Sequence, residues 1–135
     1  MREIVDRLIE ERAPWLERPG MAPSAARRAL NLLLQYERTV KIGEALEPMP
    51  AADLMSTAAD LFARPVEISG LDNLPRHGGA IVVCNHPTGI ADGIVLYGAI
   101  GHIRPDLFFF ANSDAVRVMP QLAEMIAPVE WRPEK

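Results

Sequence analysis

His86 and Asp92 have side chains that can exchange protons, and five residues separate them in the sequence. They lie in "AIVVCNHPTGIADGIVLY", residues 80–97, where an Asn-His-Pro-Thr-Gly corner separates two apolar runs. On one continuous helix, residues six positions apart point roughly 120° away from each other, so the two side chains could not meet. Pro87 disfavours helix at the residue before it, and Gly89 permits a tight reversal. The sequence therefore predicts a bend between His86 and Asp92.

The predicted bend gives these two residues complementary environments. His86 is expected at the carboxyl end of the strand "AIVVC", where open parallel sheets bind ligands. Asp92 is expected in the first turn of the next helix, where the helix dipole keeps a carboxylate ionised. One imidazole nitrogen could then donate to Asp92, which leaves the other as a general base worth about 10²–10⁴ in rate. No Gly-x-Ser-x-Gly elbow is present, so the substrate is expected to supply the hydroxyl.

The spacing alone leaves a second interpretation open, in which Asp92 only caps a helix and His86 is an ordinary turn residue. Cys84, in the predicted strand, is expected to be a small buried hydrophobe and not a nucleophile. His77 and His102 are not accompanied by a His-Glu-x-x-His pattern or a cysteine pair. We therefore predict no metal site.

The first half of the chain is predicted to be helical. "MREIVDRLIEER" has its apolar residues on one side, as an amphipathic helix does. A second helix is predicted from near Ser24, a suitable N-cap, through "AARRALNLLLQYERTVKIGEAL". After the prolines of "EPMP", a third helix is predicted through "LMSTAADLFA".

The second half alternates strand-like and helix-like segments. The strand-like runs are "PVEISG", "GAIVVCN", "DLFFFAN" and "APVEW", and the helix-compatible pieces are "DGIVLYGAIGHI" and "DAVRVMPQLAEMI". This alternation predicts an α/β fold with βαβ crossovers and a mainly parallel sheet, on which the N-terminal helices pack. We expect residues 1–63 and residues 64–135 to be two parts of one folding unit.

Bulk composition narrows the function classes. The 135 residues are 49% hydrophobic, which fits one domain with a core, and the net charge of -4 gives no reason to expect a nucleic acid partner. A single cysteine cannot form an intramolecular disulfide, which favours a cytoplasmic location. The charged N-terminus does not have the pattern of a signal peptide, and we predict no transmembrane helix.

The segments "VEISGLDNLPRHGGAIVVCNHPTGIADGIVL" and "DLFFFANSDAVRVMPQLAEMIAPVEW" resemble the lysophospholipid (1-acylglycerol-3-phosphate) O-acyltransferases. The family signature places four residues between His and Asp, whereas "HPTGIAD" places five, which is similar to the NHP branch near the hemolysin-like and ornithine-lipid acyltransferases. The resemblance implies that His86 deprotonates the acceptor hydroxyl and that Asp92 orients the imidazole. It gives Asn85, Thr88 and Gly89 supporting roles.

The resemblance also implies the partners and the location. The acyl donor would be acyl-CoA or acyl carrier protein, the acceptor a lyso-lipid, and no further cofactor is expected. The enzyme would work at the cytosolic surface of the inner membrane, where basic and apolar residues of the second helix could contact lipid: Arg27, Arg28, Arg38, Lys41, Leu30, Leu33 and Leu34. Ordinary solvated charges are the alternative explanation for these cations.

A later block of the family, Phe-Pro-x-Gly, does not occur in this sequence. We therefore expect residues 64–135 to be the start of an incomplete acyltransferase domain with little or no activity by itself. Two other functions stay open from the sequence. One is a thioester hydrolase that uses water in place of the acceptor hydroxyl, and the other is a non-catalytic α/β binding module.

Overall fold

The computed structural model describes residues 1–63 and 65–129, which divide into two compact units. The first unit comprises Met1–Pro48 and Arg117–Met119, and the second comprises Met49–Val116 and Pro120–Lys135. The boundary after residue 63 and the single folding unit, both inferred from the sequence, stay predictions.

The first unit contains three helices and one short 3₁₀ helix. Helix α1 spans Arg2–Arg12, the 3₁₀ helix spans Pro14–Glu17, α2 spans Met21–Leu33 and α3 spans Tyr36–Leu46. The Tyr36 hydroxyl and the Arg27 guanidinium both donate to Oδ1 of Asp6, each at 2.8 Å. These two bonds link the three helices around a core of Leu16, Tyr36, Val40 and Leu46.

The prediction for the second helix was wrong in two respects. The helix begins at Met21 and not near Ser24, whose hydroxyl donates back to the carbonyl of Gly20 at 2.9 Å. Pro23 is tolerated there because the first helical turn needs no partners for its N–H groups. The predicted single helix is also interrupted at Gln35, which adopts a left-handed conformation (φ 50°) and separates α2 from α3.

The second unit combines helices with a small parallel sheet. It contains α4 (Ala51–Phe62), a 3₁₀ helix (Leu71–Asn73), α5 (Ile90–Ile100) and the strands β1 (Phe109–Asn112) and β2 (Ile126–Val129). The two strands run parallel, with Phe109 opposite Ile126 and Asn112 opposite Val129. The predicted α/β fold class is confirmed.

The connection between the strands does not form one helix. Helix α6 spans Asp114–Val118, and a separate 3₁₀ helix spans Pro120–Glu124. A proline cannot donate to the preceding turn and its ring clashes there, so the helix-compatible segment "DAVRVMPQLAEMI" is divided at Pro120.

Two of the predicted strands are not strands in the structure. Residues 66–70 and 79–85 have no regular secondary structure, and the side chains of Ile81 and Val83 are 92% and 87% exposed. A strand forms where the backbone groups of a neighbouring strand satisfy its own. Within residues 1–63 and 65–129, no segment pairs with either of these two runs. The end of the predicted strand "APVEW", Glu130 and Trp131, lies outside the described residues.

Helices α4 and α5 pack closely, and this contact positions the helix that carries Asp92. The two helices approach each other at Gly98, which has no side chain. A Cβ atom added at this position would lie only 2.9 Å from the Cβ of Ala59. The hydroxyl of Tyr97 donates to the carbonyl of Ala52 at 3.4 Å across the same pair of helices. Among the described residues, none of the helices is both long and apolar enough to cross a bilayer.

Candidate active site

A bend at residues 86–89 brings His86 and Asp92 together. Gly89 adopts φ 70° and ψ -127°, a conformation that side-chain-bearing residues rarely adopt, and α5 begins at the next residue. Asp92 is in the first turn of α5, as the sequence predicts. His86 does not end a strand, because residues 79–85 are irregular, and this part of the sequence prediction was wrong.

The His86 ring and the Asp92 carboxylate are in direct contact. Nδ1 of His86 lies 3.2 Å from Oδ2 of Asp92, and the two side chains are 69% and 18% exposed. Nδ1 is therefore the ring nitrogen beside the carboxylate, and a proton on Nδ1 leaves Nε2 as the acceptor nitrogen of a neutral ring. The exposed ring thus lies beside a carboxylate that is mostly shielded from solvent.

Thr88 holds the Asp92 carboxylate with two hydrogen bonds. Its backbone N–H donates to Oδ2 at 3.0 Å and its hydroxyl donates to Oδ1, so both carboxylate oxygens are engaged. The bond from the Thr88 hydroxyl is the largest influence keeping the pKa of Asp92 below its ordinary value of 3.8. Partial desolvation opposes this shift, and the Thr88 N–H, the charge of His86 and the backbone of Gly89 add to it.

The contacts of Asp92 are compatible with both interpretations that the sequence left open. It reaches back to the backbone before α5, as an acidic residue in a capping arrangement does, and it also contacts the imidazole. The family resemblance implied only a supporting role for Thr88. The spacing Thr-x-x-x-Asp across the start of a helix was the signal that could have identified its contacts with the carboxylate.

The other residues considered from the sequence have fewer contacts. The side chain of Asn85 is exposed and makes no hydrogen bond within the described residues. Cys84 is exposed and not buried as predicted, because the segment that carries it does not pair into a sheet. His77 and His102 are exposed. The described residues contain no group of three His, Cys, Asp or Glu side chains that could hold a metal ion.

Comparison with known proteins identifies the family. The sequence model of the family described as Acyltransferase matches residues 65–135, more than half of the chain. The chain belongs to this acyltransferase family. The matched range of the acyltransferase chain includes the whole corner, from Asn85 through Asp92.

Two curated proteins resemble this acyltransferase chain, and both are called lyso-glycine lipid O-acyltransferase. The protein from Bacteroides thetaiotaomicron is 24% identical over 127 residues, which are 93% of this chain and 45% of the relative. The protein from Phocaeicola vulgatus is 32% identical over 78 residues, which are 57% of this chain and 28% of the relative. The chain thus aligns with less than half the length of either relative. No solved structure matches it.

Proposed function

We propose that this chain supplies the general base of an O-acyltransferase that transfers a fatty acyl group to the hydroxyl of a lyso-lipid. The observation that carries the proposal is the contact between Nδ1 of His86 and Oδ2 of Asp92, which lies inside the range matched by the acyltransferase family. The exposure of the ring supports the same role, because a substrate hydroxyl must reach Nε2.

The proposed reaction is a direct transfer from an acyl thioester of coenzyme A or acyl carrier protein. Nε2 of His86 takes the proton of the acceptor hydroxyl while the hydroxyl oxygen attacks the thioester carbonyl carbon. The new C–O ester bond forms, the C–S bond breaks, and the departing thiolate receives the proton from the imidazolium. Asp92 stays ionised throughout and stabilises the positive charge that develops on the ring.

The proposed acceptor is a lyso-lipid that carries a free hydroxyl. Both curated relatives are named for a lyso-glycine lipid, so a lipid with an amino-acid head group is the first acceptor to test, and lysophosphatidic acid is the second. We further propose that the 135-residue chain alone has little or no activity, since it contains no Phe-Pro-x-Gly block.

The test is an acyl-transfer assay with purified full gene product containing this chain, an acyl thioester and either acceptor. We expect His86→Ala to lower kcat/KM by about 10²–10⁴, the range of a lost general base. The matched control is His77→Ala, which removes an exposed histidine of the same unit and is expected to leave turnover unchanged. Unchanged turnover in His86→Ala would refute the mechanism.

Product analysis in the same assay separates the alternative functions. Acylated lipid as the product supports transfer, whereas free fatty acid alone, in the presence of excess acceptor, would show a thioester hydrolase. Neither product, from a folded protein that retains the His86–Asp92 contact, would favour a non-catalytic binding module.

We also propose that the chain works at an anionic membrane surface and contacts it through a leucine tip, defined as Leu32, Leu33 and Leu34. These three side chains, at the end of α2, are between 64% and 83% exposed. Arg28 precedes Leu32 by one helical turn, so an exposed cation lies on the same side of α2 as part of the tip. An apolar tip beside a cation is complementary to a bilayer with anionic head groups.

The contacts of the first unit support a smaller set of proposed lipid-facing residues than the sequence suggested. Arg27 forms ion pairs with Asp6 at 2.8 Å and with Glu17 at 3.1 Å, so its charge is neutralised by carboxylates of the first unit. Arg28, Arg38 and Lys41 are exposed, and Leu30 is half-buried. The proposed contact therefore consists of the leucine tip with Arg28, Arg38 and Lys41.

A further inference from the structure

Arg104 makes an unusually complete set of hydrogen bonds for a side chain outside the candidate active site. Nε and Nη2 donate to the two carboxylate oxygens of Asp106, each at 2.8 Å. Nη1 donates to the carbonyl of Pro75 at 2.8 Å, and Nη2 also donates to the carbonyl of Gly78 at 2.9 Å. The side chain is only 13% exposed. One guanidinium thus holds both ends of the turn at residues 75–78.

The backbone of Arg104 is fixed to α5. Its N–H donates to the carbonyl of Ile100, the last residue of that helix, at 2.9 Å. Asp92 lies in the first turn of α5, and the backbone of Arg104 is bonded to the last residue of the same helix. The turn at residues 75–78 is therefore attached to the same helix that carries the catalytic carboxylate.

The strap, defined as residues 79–85, connects that turn to His86. Within the described residues, none of its backbone groups makes a hydrogen bond, and its side chains are exposed. With no backbone hydrogen bond of its own in the described residues, the strap takes its course from the two points at which its ends are held. The first end is held by Arg104 and the second by the contact between His86 and Asp92.

We propose that Arg104 is a positioning residue for the His86–Asp92 pair. By holding the carbonyls of Pro75 and Gly78, it sets where the strap begins relative to α5, and so limits the positions that His86 can take beside Asp92. An arginine suits this task because its planar fork can donate to a carboxylate and to two carbonyls at once, whereas the ammonium of lysine has no such fork. The proposal rests on the proposed function only in its effect on turnover.

The primary test measures the His86 ring directly and needs no activity. Nitrogen-15 NMR of the ring, at a pH where it is neutral, distinguishes the tautomer with the proton on Nδ1 from the tautomer with the proton on Nε2. We expect the wild-type protein to show mainly the Nδ1–H form, because the Asp92 carboxylate lies 3.2 Å from Nδ1 and its negative charge favours a proton there. In Arg104→Ala we expect a mixture of the two forms, because the strap is released at its first end.

The matched control is Arg76→Ala. Arg76 lies in the same turn and is exposed, and its side chain makes no hydrogen bond or ion pair within the described residues. We expect its His86 spectrum to match that of the wild type. Arg104→Lys is expected to fall between the wild type and Arg104→Ala, and it replaces the alanine variant if circular dichroism shows that Arg104→Ala does not fold.

The second test is kinetic. If the full gene product transfers acyl groups, Arg104→Ala is expected to lower kcat about ten-fold with KM values for both substrates within about two-fold, since small displacements of a reacting group have effects of this order. A wild-type His86 spectrum in a folded Arg104→Ala protein would overturn the proposal, whatever the turnover. Absence of acyl transfer by the wild type would instead refute the proposed function and leave the NMR result as the test of Arg104.

Discussion

Substitution of Gly98 by alanine tests the close approach that positions α5. A Cβ atom at residue 98 would lie 2.9 Å from the Cβ of Ala59, whereas ordinary contacts of this kind begin at 3.4 Å. Inserting a methylene into a packed contact costs about 1–3 kcal/mol. Alanine regains about 1 kcal/mol over glycine in a helix interior. We expect Gly98→Ala to lower the free energy of unfolding by about 1 kcal/mol, and the melting temperature by about 4 °C.

The matched control is Gly93→Ala in the same helix. A Cβ atom there would lie 4.0 Å from Cδ1 of Phe109, an ordinary contact, so only the helix propensity changes. We expect this control to raise the free energy of unfolding by about 1 kcal/mol. The assay is guanidinium unfolding followed by far-UV circular dichroism, with the midpoint and slope fitted for each variant.

A double-mutant cycle with Ala59→Gly makes the test sharper. Removing the Cβ of Ala59 removes the atom that the new methyl group would meet. In that background Gly98→Ala should become stabilising by about 1 kcal/mol, so the sign of its effect reverses and the coupling between the two sites is about 1–3 kcal/mol. If Gly98→Ala stabilises the wild-type background as much as Gly93→Ala does, the close approach of α4 and α5 is refuted.

Three further predictions concern the site and the leucine tip. Asp92→Asn should lower kcat by about 10²–10⁴, because the amide would donate to Nδ1 and move the ring proton to Nε2. If the variant turns over as fast as the wild type, Asp92 does not orient the ring. Thr88→Val should raise the pKa of Asp92 toward 3.8, since the hydroxyl is the main cause of its lowering, and carbon-13 NMR titration of the carboxylate would measure it. Leu33→Glu should weaken sedimentation with anionic vesicles about ten-fold, with Leu61→Glu, an exposed leucine of α4, as the control.

The lowered pKa of Asp92 also fixes the direction of a pH effect. A carboxyl group whose pKa is lower in the folded than in the unfolded protein stabilises the fold above its unfolded value and loses that contribution as the pH falls through the folded value. Asp92 should therefore be mostly ionised at every pH above its ordinary 3.8. The contribution of Asp92 to the free energy of unfolding should decrease only below that pH. The decrease should be smaller in Thr88→Val than in the wild type. A wild-type titration midpoint above 3.8 would contradict the contacts of Thr88.

The contact between His86 and Asp92 could be predicted because its causes are local. Pro87 and Gly89 restrict the backbone at the corner, and an acidic residue in a first helical turn is held by nearby N–H groups. These constraints act within seven residues, so the sequence is sufficient to bring His86 close to Asp92. The contacts of Arg104 could not be predicted in the same way. They join residues 26 and 29 positions apart, and only the fold determines which carbonyls its guanidinium meets.

The two segments wrongly predicted as strands, residues 66–70 and 79–85, show that strand formation depends on tertiary contacts as well as on the sequence pattern. Ile81 and Val83 belong to a β-branched run that suits a pleated, partly buried surface. The strand propensity of such residues reflects their packing against neighbouring strands more than a preference of the backbone itself. The run that contains Ile81 and Val83 is therefore irregular, because no described segment pairs with it. "DLFFFAN" carries a comparable pattern and does form β1, because Ile126–Val129 lies beside it in parallel register. The difference between the two runs therefore lies in their neighbours within the described residues.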